Sequence, residues 1–146
     1  MAIRFQETDV RPMGAQPTAS RGITLRDDDY VVAMEMVKPG GTLLSVTERG
    51  FGKRTEIDEY RMQSRGGVGV INIATTTRNG LVVGIAYVQE GDELLLMTQQ
   101  GMILRIPTDG VRAIGRATQG VTLINIESED KVVGIARLVE KEDEVE

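Results

Sequence analysis

The sequence of 146 residues contains no cysteine, no histidine and no tryptophan. A disulfide framework is therefore excluded, as are a zinc site and a catalytic pair built on cysteine or histidine. The sequence also shows no signal peptide and no apolar run of eighteen residues, so we expect no insertion into a membrane. A chain without cysteine fits the reducing cytoplasm, which is the location we expect.

Aromatic residues make up only 3% of the chain, and the net charge is −5, which at first argues against a polyanionic partner. The charge is unevenly distributed. The last seven residues, 140–146, carry −4, so residues 1–139 carry only −1. A nearly neutral body can still present a basic stripe on one face. We expect residues 140–146 to form a solvated acidic tail.

Glycine, by contrast, is abundant at 17 residues, and much of it belongs to a pattern that recurs about every fifty residues. A pair of arginines seven positions apart occurs once in each copy, as Arg4 and Arg11, Arg54 and Arg61, and Arg105 and Arg112. In the same comparison Gln119-Gly120-Val121 corresponds to Gly66-Gly67-Val68. This period indicates a repeat architecture, with repeats at about 1–41, 42–92 and 93–139, and the first repeat lacks its opening strand.

Each repeat contains about four short strand-like runs between turn signals, and no segment keeps a helical period over twelve residues. The predicted fold is all-β, a propeller-like array of about three four-stranded antiparallel blades. The predicted strands include Gly22–Leu25 and Tyr30–Val37, and Arg78-Asn79-Gly80 predicts a hairpin turn. Three blades leave two open flanks, so we expect either half of a larger ring or pairing with a second copy.

Several motifs make a family resemblance specific. They are Gly50-Phe51-Gly52-Lys53-Arg54-Thr55, Tyr60-Arg61, Gln63-Ser64-Arg65-Gly66-Gly67-Val68-Gly69 and Arg78-Asn79-Gly80-Leu81-Val82-Val83-Gly84. Over essentially its whole length the chain resembles the C-terminal β-pinwheel domain of the bacterial DNA gyrase A protein, and in particular the last three of its six blades. In that fold neighbouring blades exchange strands.

The resemblance implies a non-catalytic module that wraps double-stranded DNA around a basic rim, within an ATP-dependent enzyme that introduces negative supercoils. It implies two partners, the gyrase B protein and the remainder of the gyrase A protein, in a complex associated with the bacterial chromosome. No cofactor is expected in this chain, because ATP and Mg²⁺ belong to the holoenzyme. The alternatives are the corresponding C-terminal domain of topoisomerase IV and a protein-interaction propeller that does not bind DNA.

The family's hallmark loop, the gyrase-A box, reads Gln-Arg-Arg-Gly-Gly-Lys-Gly. In this chain the loop 63–69 matches it at five positions, whereas Ser64 and Val68 replace two basic residues. The resemblance therefore implies the related, degenerate loop of a later blade. Its glycines would allow a close backbone approach, with amide groups facing phosphate. The alternative is a plain glycine-rich turn between strands.

Basic side chains neutralise phosphates without reading sequence, and positions that recur once per blade suit a bent DNA backbone. The DNA-binding candidates are Lys53, Arg54, Arg61, Gln63, Arg65, Gly66, Gly67, Gly69, Arg78, Arg105, Arg112 and Arg116, with Arg4, Arg11 and Arg21 in the first repeat.

Acids lie between the members of each arginine pair, so Arg4, Arg54 and Arg105 alternatively form local ion pairs within a blade. The acidic tail either competes with DNA for the basic rim or only keeps the chain soluble. Asp27-Asp28-Asp29 is interpreted as a solvated turn rather than a metal site, because three consecutive acids in a turn cannot all face one ion.

Overall fold

The computed structural model describes residues 1–12 and 19–139. These residues form nine strands and three short 3₁₀ turns, and no α-helix is present among them. None of the described segments is a helix long and apolar enough to cross a membrane. The all-β prediction is confirmed. The predicted loop around Gly14 and Pro17 and the acidic tail lie outside the described residues.

The strands are β1 (Arg4–Phe5), β2 (Thr42–Thr47), β3 (Phe51–Glu56), β4 (Met62–Gln63), β5 (Val82–Val88), β6 (Glu93–Thr98), β7 (Ile103–Pro107), β8 (Val121–Thr122) and β9 (Val132–Leu138). The 3₁₀ turns are Glu7–Asp9, Ile57–Glu59 and Thr108–Gly110, one in each repeat.

The second and third repeats build the same sheet. In the second, β2 lies between β3 and β5, and in the third, β6 lies between β7 and β9, with every pairing antiparallel. Both sheets have a register irregularity at the same place, after Val46 in β2 and after Met97 in β6. The two repeats therefore share the details of their strand pairing as well as their sequence pattern.

The second and third repeats each contribute a segment to the preceding blade. β8 belongs to the third repeat but pairs with β3 of the second, with Gly52 opposite Val121. The equivalent antiparallel contact between the second and first repeats is the bridge of Val70 with Ala2. In addition, β4 of the second repeat pairs in parallel with β1 of the first. The four-stranded sheet β5-β2-β3-β8 is thus assembled from two repeats, so the blades exchange strands.

The core lies between the sheets. Successive side chains of a strand point to opposite faces, and β2 is covered on both faces. Leu44 and Val46 pack with Leu94 and Leu96 of β6 in one cluster, while Leu43 packs with Ile57, Tyr60 and Tyr87 in a second cluster on the opposite side. Burying one such leucine completely contributes about 1.5–3 kcal/mol.

Two glycines permit the exchanged segments to lie close to the preceding blade. Gly69 and Gly120 have φ of 86° and 79°, in the left-handed region. A Cβ on Gly120 would lie 2.6 Å from the carbonyl oxygen of Gly52, and a Cβ on Gly69 would overlap the carbonyl oxygen of Ala2. Gly120 therefore corresponds to Gly69, and the predicted match to Gly67 was wrong by two positions.

The strand predicted at Tyr30–Val37 is not formed, since the structure assigns no strand there. Its counterparts β5 and β9 pair with β2 and β6, whereas no strand among the described residues pairs with this segment. Without that partner Tyr30 stays 64% exposed and Met34 84% exposed.

The predicted hairpin at Arg78-Asn79-Gly80 is also wrong. The segment before it contributes only the bridge of Val70 with Ala2, so no hairpin strand precedes the turn. Asn79 is instead fully buried, and its amide nitrogen donates to the carbonyl oxygens of Ala74 (2.8 Å) and Gln119 (3.1 Å). The asparagine ties its own turn to the neighbouring repeat.

Gly22–Leu25 likewise forms no named strand. This segment is held by hydrogen bonds with the loop 63–69 of the next repeat, where the Thr24 amide donates to the Gly67 carbonyl (2.9 Å) and the Gly66 amide donates to the Gly22 carbonyl (2.6 Å). The equivalent contact joins the Ala74 amide to the Thr118 carbonyl at 2.9 Å. Residues 22–25 therefore form backbone hydrogen bonds with the next repeat instead of strand pairing within their own repeat.

A fully buried lysine joins the second and third repeats. Lys53, on β3, has no exposed surface, and its ammonium donates to the carbonyl oxygens of Gly115 and Arg116, both at 2.7 Å. Burial lowers the pKa of Lys53 to about 8. Nearby, burial raises the pKa of Tyr60 to about 12, and the tyrosine hydroxyl donates to the Asn72 side chain.

The glycine contacts predict a graded loss of stability. Gly101 has a φ of 90° but no atom within 4 Å of a Cβ placed on it, so Gly101→Ala carries only the backbone cost, about 1 kcal/mol. Gly69→Ala and Gly120→Ala add a backbone clash and are expected to cost about 2–4 kcal/mol. Urea denaturation of the three variants measures the difference, and equal losses in all three would contradict it.

The shifted pKa values of Lys53 and Tyr60 predict that the free energy of unfolding is greatest near pH 10. Between pH 8 and 10.5 the unfolded chain holds the Lys53 proton more tightly than the folded chain does, so the free energy of unfolding rises with pH. Between pH 10 and 12 the folded chain keeps the Tyr60 proton that the unfolded chain loses, so stability falls. The measurement is the denaturation midpoint as a function of pH across this range. The rise should be absent in Lys53→Met, and the fall should be absent in Tyr60→Phe. An unchanged profile in both variants would show that other groups control it.

Candidate nucleic-acid interface

The basic side chains divide into those that bind the neighbouring repeat and those that face solvent. Arg4 and Arg54 belong to the first group. Arg4 donates to the carbonyl oxygens of Ile57 (3.2 Å) and Tyr60 (3.1 Å), and the Nε of Arg54 donates to that of Val111 (2.7 Å). Tyr60 and Val111 each follow a 3₁₀ turn, so the two contacts are equivalent.

This arrangement corrects the interpretation of Arg4 and Arg54 as partners in local ion pairs. Both arginines are structural, but they bind backbone carbonyls of the following repeat rather than acids of their own blade. Arg105, at the equivalent position in the third repeat, does form an ion pair, with Glu93 of the adjacent strand. The hydrogen bond from Arg105 lowers the pKa of Glu93, and the same bond raises the pKa of Arg105.

Arg65 and Arg116 form a second equivalent pair of contacts between repeats. Arg65 donates to the Arg21 carbonyl at 3.1 Å, and Arg116 donates to the Ile71 carbonyl at 2.9 Å. Arg65 also donates to the Asp9 carbonyl at 3.0 Å. Arg65 nevertheless remains exposed and Arg116 is half-buried, so both residues retain contact with solvent.

The loop 63–69 forms more contacts within the protein than the sequence predicted. The Gly66 amide donates to the Gly22 carbonyl, and Gly69 lies against Ala2, so these two glycines serve the approach of neighbouring repeats. The Gln63 side chain is partly buried, and its amide nitrogen has no partner among the described residues. Gly67 accepts from Thr24 through its carbonyl oxygen. The predicted amide cradle for phosphate therefore does not extend over the whole loop.

Arg61 and Arg112 are the exposed members of the arginine pairs. Each follows its 3₁₀ turn by the same interval, and neither side chain forms a hydrogen bond or ion pair within residues 1–12 and 19–139. Arg11 holds the same position in the first repeat and is also exposed. The three side chains therefore recur once per repeat at equivalent surface positions.

Two other predicted candidates differ sharply in accessibility. Arg78 is exposed, and its guanidinium lies 5.2 Å from the centre of the Phe51 ring, a distance typical of a cation–π contact. Lys53 is fully buried and its ammonium is engaged by two carbonyl groups, so it is not available for contact with a phosphate. Phosphate contact by the remaining candidates stays a prediction.

The sequence pattern did not indicate the roles of Arg49 and Arg137. Arg49 joins two repeats, because it donates to the carbonyl oxygens of Asp130 (2.9 Å) and Ser128 (3.3 Å) in the next repeat. Arg137 acts within one sheet, where it forms a 2.8 Å ion pair from β9 to the buried carboxylate of Asp92, which directly precedes β6. The third repeat has Gln100 where the second has Arg49, so the repeat pattern did not single this arginine out.

The acidic residues do not assemble a metal site within the part of the chain that the structure describes, where no group of three potential ligands converges. Asp27 and Asp28 lie in a turn and all three consecutive aspartates are exposed, as predicted.

The protein-family and structural comparisons agree with this architecture. A family model described as the DNA gyrase C-terminal domain, beta-propeller, matches residues 1–38, 41–89 and 92–138. The DNA gyrase A protein of Escherichia coli K12 is 42% identical over 142 residues, which cover 97% of this chain and 16% of that protein. The DNA gyrase A protein of Thermotoga maritima is 44% identical over 128 residues, which cover 86% of this chain and 16% of that protein.

Two solved structures share the fold. The structure of the DNA gyrase A C-terminal domain aligns with a TM-score of 0.85 at 27% identity, covering 92% of this chain and 46% of that one. The C-terminal domain of DNA topoisomerase IV aligns with a TM-score of 0.84 at 22% identity, covering 92% of this chain and 42% of that one. The chain spans 16% of the length of the gyrase A proteins it matches. With three matched segments that together cover most of its length, the chain belongs to the family of DNA gyrase C-terminal beta-propeller domains.

Proposed function

We propose that this chain binds double-stranded DNA through phosphate contacts along its exposed arginines, as a DNA-wrapping module of a gyrase. The observation that carries the proposal is the repetition of Arg61 and Arg112 at equivalent exposed positions, while Arg54 is engaged inside the array. Membership of the gyrase C-terminal family supports the same assignment. A regular series of surface cations is what backbone recognition of bent DNA requires.

The anchored arginines add to this surface. Arg65 and Arg116 each donate to a backbone carbonyl of the preceding repeat, which limits the rotamers that the side chains can occupy. An arginine that is already held loses less conformational entropy when it binds a phosphate, because part of the ordering has occurred in the folded protein. Together with Arg61 and Arg112 they form the proposed contact set.

Acidic side chains close to the same turns moderate the attraction. Asp58 and Glu59 are exposed one turn before Arg61, and Asp109 is exposed before Arg112. These carboxylates reduce the local positive potential at an exposed surface, where salt screens both signs of charge. The affinity of this chain for DNA is therefore expected to be modest and strongly dependent on salt.

The proposed module has no catalytic activity of its own. It spans 16% of the gyrase A proteins it matches. By its resemblance to the gyrase C-terminal domain, we expect DNA cleavage and ATP hydrolysis to reside in other parts of the enzyme. The proposed partners in that enzyme are the remainder of the gyrase A protein and the gyrase B protein. The sequence relatives named above are gyrase proteins, which favours gyrase over topoisomerase IV as the parent enzyme.

The phosphate contacts predict a specific change in salt dependence. Each phosphate neutralised contributes about −0.9 to the slope of the logarithm of the binding constant against the logarithm of salt concentration. For Arg61→Ala/Arg112→Ala we expect a slope shallower by about 1.8 and weaker binding at low salt. Fluorescence anisotropy on a linear duplex of about one hundred base pairs, titrated with salt, measures both quantities.

Two control variants separate the effect of the positions of the arginines from the effect of net charge. Lys38→Ala/Lys131→Ala removes the same charge from two other exposed sites and is expected to leave the slope unchanged. Arg61→Lys/Arg112→Lys keeps the charge and should retain the original slope, because phosphate neutralisation needs no bidentate geometry. Equal effects of the two alanine pairs, or no binding at low salt, would overturn the proposal. The second result would favour a protein-interaction propeller.

A further inference from the structure

Residues 111–116, which we call the arginine segment, carry two of the proposed phosphate contacts, Arg112 and Arg116. The segment belongs to the third repeat, but its backbone pairs with β3 of the second. The Arg54 amide donates to the Arg112 carbonyl (3.0 Å), and the Ile114 amide donates to the Arg54 carbonyl (2.8 Å). The position of both arginines in the segment therefore depends on β3.

Two side chains of β3 extend this contact to the end of the arginine segment. The Thr55 hydroxyl donates to the Ile114 carbonyl at 2.9 Å. The Lys53 ammonium donates to the carbonyl oxygens of Gly115 and Arg116, both at 2.7 Å. A charged donor forms stronger hydrogen bonds than a neutral one. The backbone of Arg116 is therefore held by the buried charge of Lys53.

The side chain of Arg116 is held less firmly than its counterpart in the second repeat. Among the described residues, Arg116 donates to a single carbonyl group, that of Ile71, at 2.9 Å. Arg65 donates to two carbonyl groups, those of Asp9 (3.0 Å) and Arg21 (3.1 Å). One hydrogen bond allows a guanidinium to turn about that bond, whereas two bonds fix its orientation. The direction of the Arg116 side chain therefore depends more on where its backbone lies.

The junction of the first two repeats has no lysine. Ile3 occupies the position that Lys53 has in the second repeat, and its side chain carries no hydrogen-bond donor. The Cδ1 of Ile3 lies 3.5 Å from the place of a Cβ on Gly67, so it meets the adjacent loop by apolar packing. Strand exchange therefore does not itself require a charge at this position. The lysine occurs at the junction where the side chain of Arg116 has only one hydrogen bond.

We propose that Lys53 is a positioning residue for DNA binding, and that it holds Arg116 where the guanidinium can contact a phosphate. The inference rests on the DNA-binding function proposed above. Lys53 is fully buried, so it acts on the phosphate through Arg116 and not by direct contact. Because an arginine that is already held loses less conformational entropy on binding, release of its backbone weakens the contact.

The charge of Lys53 makes the proposed contact sensitive to pH. Burial is the largest effect and lowers the pKa of Lys53 to about 8, while the Glu59 carboxylate raises this pKa and the Arg116 guanidinium lowers it. Ser45, opposite Lys53 on β2, carries no charge, and burial raises the pKa of Tyr60 to about 12. Between about pH 7 and 9 Lys53 therefore loses most of its charge, and its hydrogen bonds to the arginine segment weaken.

Lys53→Met removes the donor and keeps an unbranched side chain. At neutral pH we expect the slope of the logarithm of the binding constant against the logarithm of salt concentration to become shallower by about 0.9, the contribution of one phosphate contact. Arg49→Met is the matched control, because it removes one cation that donates to carbonyl groups of the third repeat outside the arginine segment. Its slope should equal that of the wild type. Fluorescence anisotropy below the denaturation midpoint of each variant measures both slopes.

The double variant Lys53→Met/Arg116→Ala shows whether the lysine acts through the arginine. If it does, the double variant binds DNA as Arg116→Ala alone does, because the same contact is lost only once. A role limited to the stability of the fold gives losses that add. Additive losses in the logarithm of the binding constant would therefore overturn the proposal.

A pH titration tests the same step without altering Lys53, so it does not depend on whether Lys53→Met folds. At constant ionic strength the affinity of the wild type for DNA should fall between about pH 7 and 9, and the fall should be absent in Arg116→Ala. A role in stability alone predicts no such fall, because the free energy of unfolding rises as the folded chain loses the Lys53 proton. A fall of equal size in both proteins contradicts the positioning role.

The binding of the wild type distinguishes this inference from the proposed function. A wild-type chain that does not bind DNA at low salt would overturn both. A wild-type chain whose slope changes in Arg61→Ala/Arg112→Ala but not in Lys53→Met would overturn the positioning role and leave the proposed function in place.

Discussion

The structure depends on cationic side chains that donate hydrogen bonds to backbone carbonyl groups of a neighbouring repeat. Arg4, Lys53 and Arg54 reach forward in this way, and Arg65 and Arg116 reach back. Exchanged segments approach the preceding blade through loops, and loops leave carbonyl groups that no strand satisfies. A charged donor satisfies such groups more strongly than a neutral one does, and it needs no buried carboxylate as a partner. The blades are therefore joined without the cost of burying ion pairs.

This use of charge decides which basic residues remain for a partner. Within one arginine pair the first member, Arg54, is engaged by the next repeat, and the second member, Arg61, faces solvent. The two roles are fixed by position relative to the 3₁₀ turn: the first arginine lies on the strand before it and the second lies just after it. A single seven-residue spacing thus supplies both the junction and the exposed surface.

The sequence predicted the repeat, the all-β class and the family resemblance, because apolar runs, turn glycines and arginine spacing are local signals. It did not predict which cations are buried. Lys53 and Arg61 are both basic residues in the sequence, and they differ in burial only because another repeat packs over Lys53. The misplaced match of Gly120 has a similar origin: a glycine required by contact with Gly52 carries no mark of that contact in the sequence. Tyr30–Val37 has the composition of a strand, but strand formation requires a partner.

Strand exchange has a consequence for how the molecule comes apart. The sheet β5-β2-β3-β8 contains three strands of one repeat and one of the next, and Gly84 of β5 packs directly against Ile135 of β9 in the adjacent sheet. A repeat cannot melt by itself, because its loss would remove an edge strand from one blade and most of another. In ordinary repeat arrays neighbouring units share only an interface and unfold in a graded way. Here the units share their sheets, so the unfolding of one blade disrupts the next blade. We therefore expect unfolding to be cooperative across the boundaries between repeats.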